Sequence, residues 1–314
     1  MTSPTYWFPP TTLPSQSEHA RTATAGDRAA PDVYVFDQHE VISRAVNVAG
    51  ATGRPLLIDG PSGCGKSSLA YYIAWAMRWD LFPFSLTSRT QAGDLLYTVD
   101  HLRRLRDAQV DKLGKMERYV RPGVLWKGFD PEGASRIGSA VPAAPESVTN
   151  GSALPQPGRG AVVLIDEIDK ADPDVPNNLL LPLGSYQFEV PELNTVVRSR
   201  QVPFVVLTTN NERKLPPAFL RRCVHLTLPD PDQDRLIKAG RAHKAGSEET
   251  IKTIAELFCP AQGAPPRPEA PVSIAEYLDA VRACEKLGID PTQDDWKWVQ
   301  SIVLGRGDQQ GGGP

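Results

Sequence analysis

Eight consecutive residues constrain this chain more than any others. Gly60-Pro61-Ser62-Gly63-Cys64-Gly65-Lys66-Ser67 has the form G-x-x-x-x-G-K-[ST], the phosphate-binding loop. Its flanks have matching character: residues 55–59 (Pro-Leu-Leu-Ile-Asp) read as a short buried strand, and residues 68–77 as a helix. Strand, glycine loop and helix together are the context in which such a loop works. Polyphosphate oxygens need a concave set of backbone N–H donors, and glycine lets the backbone close on them without Cβ clashes. The helix start that follows adds free amides and a positive dipole end. Residues Gly60 to Ser67, with Ser68, are therefore expected to hold a nucleotide's phosphates. Lys66 would reach the β- and γ-phosphates, and the Ser67 hydroxyl would complete the shell of a Mg2+ ion.

About 100 residues after Lys66 comes Ala161-Val162-Val163-Leu164-Ile165-Asp166-Glu167. A continuous apolar run describes a central parallel strand buried on both faces, and its two terminal carboxylates fall at the sheet edge where ligands bind. Asp166 suits the metal-holding role and Glu167 the base that orients and polarises water. A third apolar strand, residues 203–211, ends in Asn210-Asn211. Asn210 is placed to bond the attacking water or the γ-phosphate. The rival account is that both asparagines satisfy turn backbone, and it fits Asn211 better. Beyond it, Arg221-Arg222 lead into a last strand. They are either a plain surface pair or guanidiniums that reach a neighbouring subunit's γ-phosphate.

Composition narrows the class. With a net charge of −3, nothing global argues for nucleic acid or an anionic membrane. Four cysteines without C-x-x-C spacing point to reduced thiols and a cytoplasmic setting. No apolar run approaches the roughly 20 residues of a membrane span, and the first residues lack the pattern of a secretory signal. The histidines are scattered, and none is assigned a metal.

In outline, residues 1–31 (rich in Pro, Thr, Ser and Ala, with a Tyr6-Trp7-Phe8 cluster) read as a disordered tail. Residues 32–228 read as an α/β nucleotide domain, interrupted at about 129–160 by a flexible Gly/Ala/Ser/Pro-rich insertion. Within it, 94–108 is expected as one amphipathic helix, with Leu95, Val99, Leu102 and Leu105 inward and Arg103, Arg104 and Arg106 on a solvated face. Residues 121–126, more structured in character than the insertion, are expected as a loop near the nucleotide or a subunit contact, and 186–200 as a hairpin. Residues 229–304 read as a small all-α lid, and 305–314 as a flexible tail.

The glycine loop, the Asp166-Glu167 strand end, the Asn210 strand end and the Arg221-Arg222 pair, in this order, resemble the AAA+ ATPases. The wording Val163-Leu164-Ile165-Asp166-Glu167-Ile168-Asp169-Lys170-Ala171 and Leu215-Pro216-Pro217-Ala218-Phe219-Leu220-Arg221-Arg222-Cys223 is most similar to the MoxR-like branch, in particular versions found beside von Willebrand A-type partners in bacterial conflict systems. The resemblance implies a five-stranded parallel sheet of order 5-1-4-3-2 with a helical lid. It implies Mg2+-dependent ATP hydrolysis in a ring, usually hexameric, with nucleotide between subunits. Asn210 would be sensor 1, and Arg222, before Arg221, the arginine finger. It also implies chaperone-like work on a protein partner. One departure stands out: Ser273-Ile274-Ala275-Glu276 resembles the sensor 2 helix start, but alanine occupies the arginine's place and Arg267 is only a weak substitute. A nucleotide-dependent switch or scaffold with little turnover is the alternative. A small-molecule kinase is disfavoured by the Asp166-Glu167 pair, and a DNA-directed role has only the Arg103 cluster behind it.

Overall fold

Three continuous apolar runs form the middle of one parallel sheet. The computed structural model describes residues 34–35, 39–139, 160–259 and 272–304. The two expected tails, the Tyr6-Trp7-Phe8 cluster and Arg267 lie outside the described residues. These divide into two units, one holding Glu40–Asp59 and Ile73–Leu226, the other residues 34–35, Gly60–Tyr72 and the described residues from Thr227 onward.

In the first unit, α1 (His39–Thr52) precedes β1 (Leu56–Asp59). The helix α2 (Lys66–Met77) starts in the glycine loop, among the residues counted with the second unit, enters the first at Ile73 and leads to β2 (Asp80–Ser85). After α3 (Ala92–Leu96), β3 (Tyr97–Val99) and α4 (His101–Gln109) come β4 (Val120–Pro122), α5 (Val124–Phe129) and α6 (Pro131–Ser139). β5 (Ala161–Asp166), α7 (Asp174–Ser185), β6 (Gln187–Val190) and β7 (Thr195–Arg198) follow. Then come β8 (Phe204–Thr209), α8 (Pro217–Leu220) and β9 (Val224–Thr227). The main sheet has the order β2-β5-β8-β1-β9. Numbering its strands one to five along the chain gives 5-1-4-3-2 from the β9 edge, the order that the resemblance implies.

β8 is buried at all six positions, and β5 at every position except Asp166. Strands covered on both faces must be apolar throughout, which is why these runs do not alternate. On one side Leu57, Val163, Ile165, Val205 and Leu207 share a core with Leu125, Phe129, Leu179 and Phe219. Each such side chain contributes about 1.5–3 kcal/mol by leaving water. The register sets Asp59 beside Thr209, Leu164 beside Val206, and Ser85 beside Asp166. A parallel sheet thus gathers Asp59, Thr209 and Asp166 at its C-terminal edge.

Three expectations within this unit need correction. Residues 94–108 are not one helix: Tyr97-Thr98-Val99, aromatic and β-branched, are extended and pair antiparallel with Val120–Pro122. Of the expected inward stripe Leu95 is buried, whereas Leu102 and Leu105 are 71% and 58% exposed. Residues 121–126 are no open loop, because Val124, Leu125 and Trp126 are buried in α5. The insertion expected at about 129–160 opens with the helix α6, whose Ala134 enters the same core. Helical order there comes from tertiary packing that composition does not report, and residues 140–159 lie outside the described ones. The hairpin is found as β6 and β7, turning through Pro191–Leu193 with Asn194 in the left-handed region at φ 47°.

The second unit holds α9 (Gln233–Ala242), α10 (Glu248–Phe258), α11 (Ile274–Leu287) and α12 (Asp295–Val303). They close on a core of Leu236, Ile251, Phe258, Tyr277, Val281 and Trp296. The Tyr277 hydroxyl, buried among them, donates to the Ile251 carbonyl at 2.8 Å.

Candidate functional site

The glycine loop is fastened by its carbonyls. Lys66, 7% exposed, donates from Nζ to the carbonyls of Gly60 and Pro61, each at 2.7 Å. An ammonium has three donors, so one is left to offer an anion. Buried Arg235 of α9 donates from Nη2 to the Cys64 carbonyl at 2.8 Å, and the Ile274 N–H at the start of α11 donates to the Gly63 carbonyl at 3.2 Å. Both helices are locally fixed. Asp232 accepts the Arg235 N–H at 2.8 Å, and Ser273 and Glu276 form a reciprocal capping box. Bonds made to loop carbonyls fix the loop without consuming the N–H groups that a phosphate would need. Glycine is required at 63: its φ is +74°, and a Cβ there would lie 2.0 Å from the Ser273 Cβ. Burial pushes the Cys64 thiol above its ordinary pKa, outweighing the opposing pull of Lys66 and Arg235. The thiol is therefore protonated at neutral pH and acts as packing. Ala275, in the first turn of α11, is exposed.

The acidic residues are organised around β5 and β8 of the first unit. Glu167 leaves β5 in the left-handed region, φ 60° and ψ 52°, which costs a non-glycine residue about 1 kcal/mol. Fully buried Thr208 of β8 stabilises that bend. Its Oγ1 accepts the Glu167 N–H at 2.9 Å, and its hydroxyl donates to Asp166 Oδ1 in a short hydrogen bond. One hydroxyl thereby sets the Asp166 carboxylate and the Glu167 backbone together. Glu167 Oε1 accepts from Lys170 Nζ at 2.8 Å, an ion pair that holds the lysine above its usual pKa.

At the end of β8, Asn211 is in the left-handed region at φ 60°, with its amide reaching Asp59 at 3.5 Å. Turn chemistry accounts for it. The Asn210 side chain makes no hydrogen bond among the described residues, whereas its backbone N–H donates to Asp169 Oδ2 at 3.1 Å. Thr208, Asp169 and Arg235 carry these arrangements, and sequence reasoning passed over all three. A hydroxyl inside an apolar strand was a faint signal for Thr208; Asp169 and Arg235 looked like ordinary surface charges.

Replacing Thr208 by Val keeps the shape and removes both bonds. A half-buried acceptor and donor then lose their partner, costing about 1 kcal/mol. The expected result is a lower melting temperature and a kcat reduced on the order of tenfold, with ATP affinity close to that of the parent. Thermal melting and steady-state ATPase assays check both.

Arg221 and Arg222 are exposed on a held backbone. The Arg54 guanidinium donates to the carbonyls of Arg221, Arg222 and Cys223 at 2.8, 3.3 and 2.6 Å. Arg222 Nη1 reaches the Leu180 carbonyl at 3.3 Å, and the Arg221 guanidinium has no partner among the described residues. The Val224 N–H donates to the Pro55 carbonyl at 2.8 Å. The arginine pair therefore lies at the start of β1, a strand length of roughly 13 Å from the edge where Asp59, Thr209 and Asp166 end.

A parallel sheet of this order, with a glycine loop after its first strand and a carboxylate pair after β5, defines a P-loop nucleotide hydrolase of the AAA+ class. The AAA domain (dynein-related subfamily) matches residues 55–223, more than half of the chain, and the chain belongs to that family. It binds nucleotide and is an ATPase. Among solved structures, it is similar to the P216G mutant of Thermotoga maritima RuvB, with 16% identity over 88% of this chain and 73% of that one and a TM-score of 0.48. It is also similar to the T. maritima RuvB Holliday junction branch migration motor, with 16% identity over 88% and 72% and a TM-score of 0.43. Comparison with curated protein sequences finds no match.

Proposed function

We propose that this ATPase works as a homo-oligomeric ring whose sites are completed between subunits, and that it spends ATP on remodelling or activating a protein partner. The observation that carries the reading is the place of Arg221 and Arg222. They are exposed and backbone-anchored by Arg54, and they sit a strand's length from the edge at which Asp166 and Asn210 stand. Guanidiniums so placed serve another subunit more readily than their own.

Each residue then has a role. Gly60, Ser62, Gly63, Cys64, Gly65 and Ser68 cradle the phosphates with backbone and hydroxyl donors. Pro61, which has no N–H, shapes the loop and accepts from Lys66 through its carbonyl, and the Lys66 ammonium neutralises the β- and γ-oxygens. Ser67 and Asp166 would hold Mg2+, which spreads the charge of the phosphates when bound. A hydroxyl and a carboxylate are hard oxygen donors that suit this ion, which keeps several waters and shares substrate oxygens. Among the described residues, no three His, Cys, Asp or Glu side chains form a cage for a metal. Glu167 accepts the proton of the attacking water and Asn210 orients it. Arg222 or Arg221 of the neighbour stabilises the charge that develops on the transferred group.

The branch assignment (MoxR-like, with a von Willebrand A-type protein as partner in a bacterial conflict system) rests on the motif wording. A cytoplasmic setting rests on the four free thiols. Among the described residues no helix is long and apolar enough to cross a membrane.

If the site is finished in trans, turnover per chain rises with protein concentration and levels off once the ring is assembled. Steady-state ATPase across a hundredfold dilution series, with sizing by light scattering on the same samples, tests this. Constant turnover per chain from monomer to highest concentration rules the proposal out.

A further inference from the structure

We propose that Asp169 is a positioning residue for the hydrolytic step, acting on Asn210 through its backbone. The proposal rests on the reading of Asn210 as the group that orients water or the γ-phosphate. Asp169 is only 2% exposed. It lies in the short 3-10 turn Ile168–Lys170, two residues beyond Glu167. Its Oδ2 accepts two backbone N–H groups from the turn after β8, that of Asn210 at 3.1 Å and that of Glu212 at 2.9 Å. Its Oδ1 is buried with no hydrogen-bond partner among the described residues.

That arrangement is expensive for a mere turn closure. A buried carboxylate with one oxygen unsatisfied carries a desolvation penalty that a neutral side chain avoids. In return, an ionised acceptor grips backbone N–H groups about twice as strongly as a neutral one. Gripping both 210 and 212 fixes the peptide plane that enters Asn210 and the one that leaves the left-handed Asn211, and with them the direction in which the Asn210 side chain leaves the chain. Further along, the Arg213 guanidinium reaches the Ala171 carbonyl at 3.3 Å. Residues 169–171 therefore form one strap across 210–213. Because the strap begins beside Glu167, the spacing between the proposed base and Asn210 is set by Asp169 rather than by either functional side chain.

The test is a double-mutant cycle on the full chain, at protein concentrations where activity per chain has levelled off. Asp169→Ala is expected to lower kcat about tenfold or more and to leave the KM for ATP and the directly measured ATP affinity within about twofold. Asp169→Asn retains a neutral acceptor of the same shape and is expected to fall between parent and alanine. In an Asn210→Ala background, Asp169→Ala is expected to cost less than about twofold further, since the group it positions is gone. Multiplying losses in the double variant, or a fall in ATP affinity matching the fall in kcat, overturns the proposal. If Asn210→Ala alone keeps the parent rate, the reading of Asn210 fails first and this inference goes with it. Should Asp169→Ala not fold, Asp169→Asn takes its place in the cycle.

Discussion

Glu167→Gln is expected to bind ATP with nearly parental affinity and to hydrolyse it about 10²- to 10⁴-fold more slowly, the range for loss of a general base. The substitution is close to a pure change of basicity. Glutamine keeps the size, the left-handed backbone carries the same strain, and the N–H bond to Thr208 is untouched. The Lys170 ion pair is lost, but with side chains 41% and 32% exposed such a pair contributes roughly 0–1 kcal/mol to stability. Melting temperature should barely move while turnover collapses. Equilibrium titration with a fluorescent ATP analogue, beside steady-state phosphate release, separates the two effects. Hydrolysis at the parent rate removes Glu167 from the base role.

Removal of both arginines should have an effect at least as large. Arg221→Ala with Arg222→Ala is expected to lower kcat about 10³- to 10⁵-fold, the usual worth of an arginine finger, with ATP binding kept. Neither side chain supports the core: both are exposed, and Arg54 holds the segment by its carbonyls. Single variants identify the finger. Arg222 spends one donor on Leu180 and retains four of the five in a guanidinium, so either can serve. A mixing experiment gives the sharper result. The double-arginine variant has its own Glu167, and Glu167→Gln has its arginines, so mixed rings contain some interfaces with both. Activity that returns on mixing two nearly inactive proteins establishes completion in trans. Mixtures no more active than their components, under conditions where both assemble, sink the shared-site proposal even if each single loss is large.

Several parts of the molecule were legible from residue order. The runs at 161–166 and 203–209 became central strands because a segment buried on both faces leaves almost no alternative to aliphatic and β-branched residues. Helix α2 begins at Lys66 directly after the glycines. The hairpin turned where Pro191 and Asn194 said it would, since few other residues tolerate that backbone. The 94–108 segment misled because its leucines recur at helical spacing, yet Tyr97-Thr98-Val99 gain more from pairing with Val120–Pro122. Residues 131–139 misled because glycine, alanine and serine say little about order until something packs against them.

What the sequence determined by itself is the chemical inventory and the order in which the chain delivers it: a glycine loop, a carboxylate pair, an asparagine and an arginine pair, the first three next to strands whose burial their own composition announces. Local patterns suffice for that, because backbone freedom and side-chain chemistry act within a few residues. Only the tertiary structure decided how those groups are braced. Thr208 bonds across two strands to residues more than forty positions away, Asp169 reaches over to the turn after β8, and Arg235 spans 171 positions to the Cys64 carbonyl. Hydrogen bonds depend on distance in space and leave no periodicity in the chain, so residues that aim the chemistry look in sequence like any other threonine, aspartate or arginine.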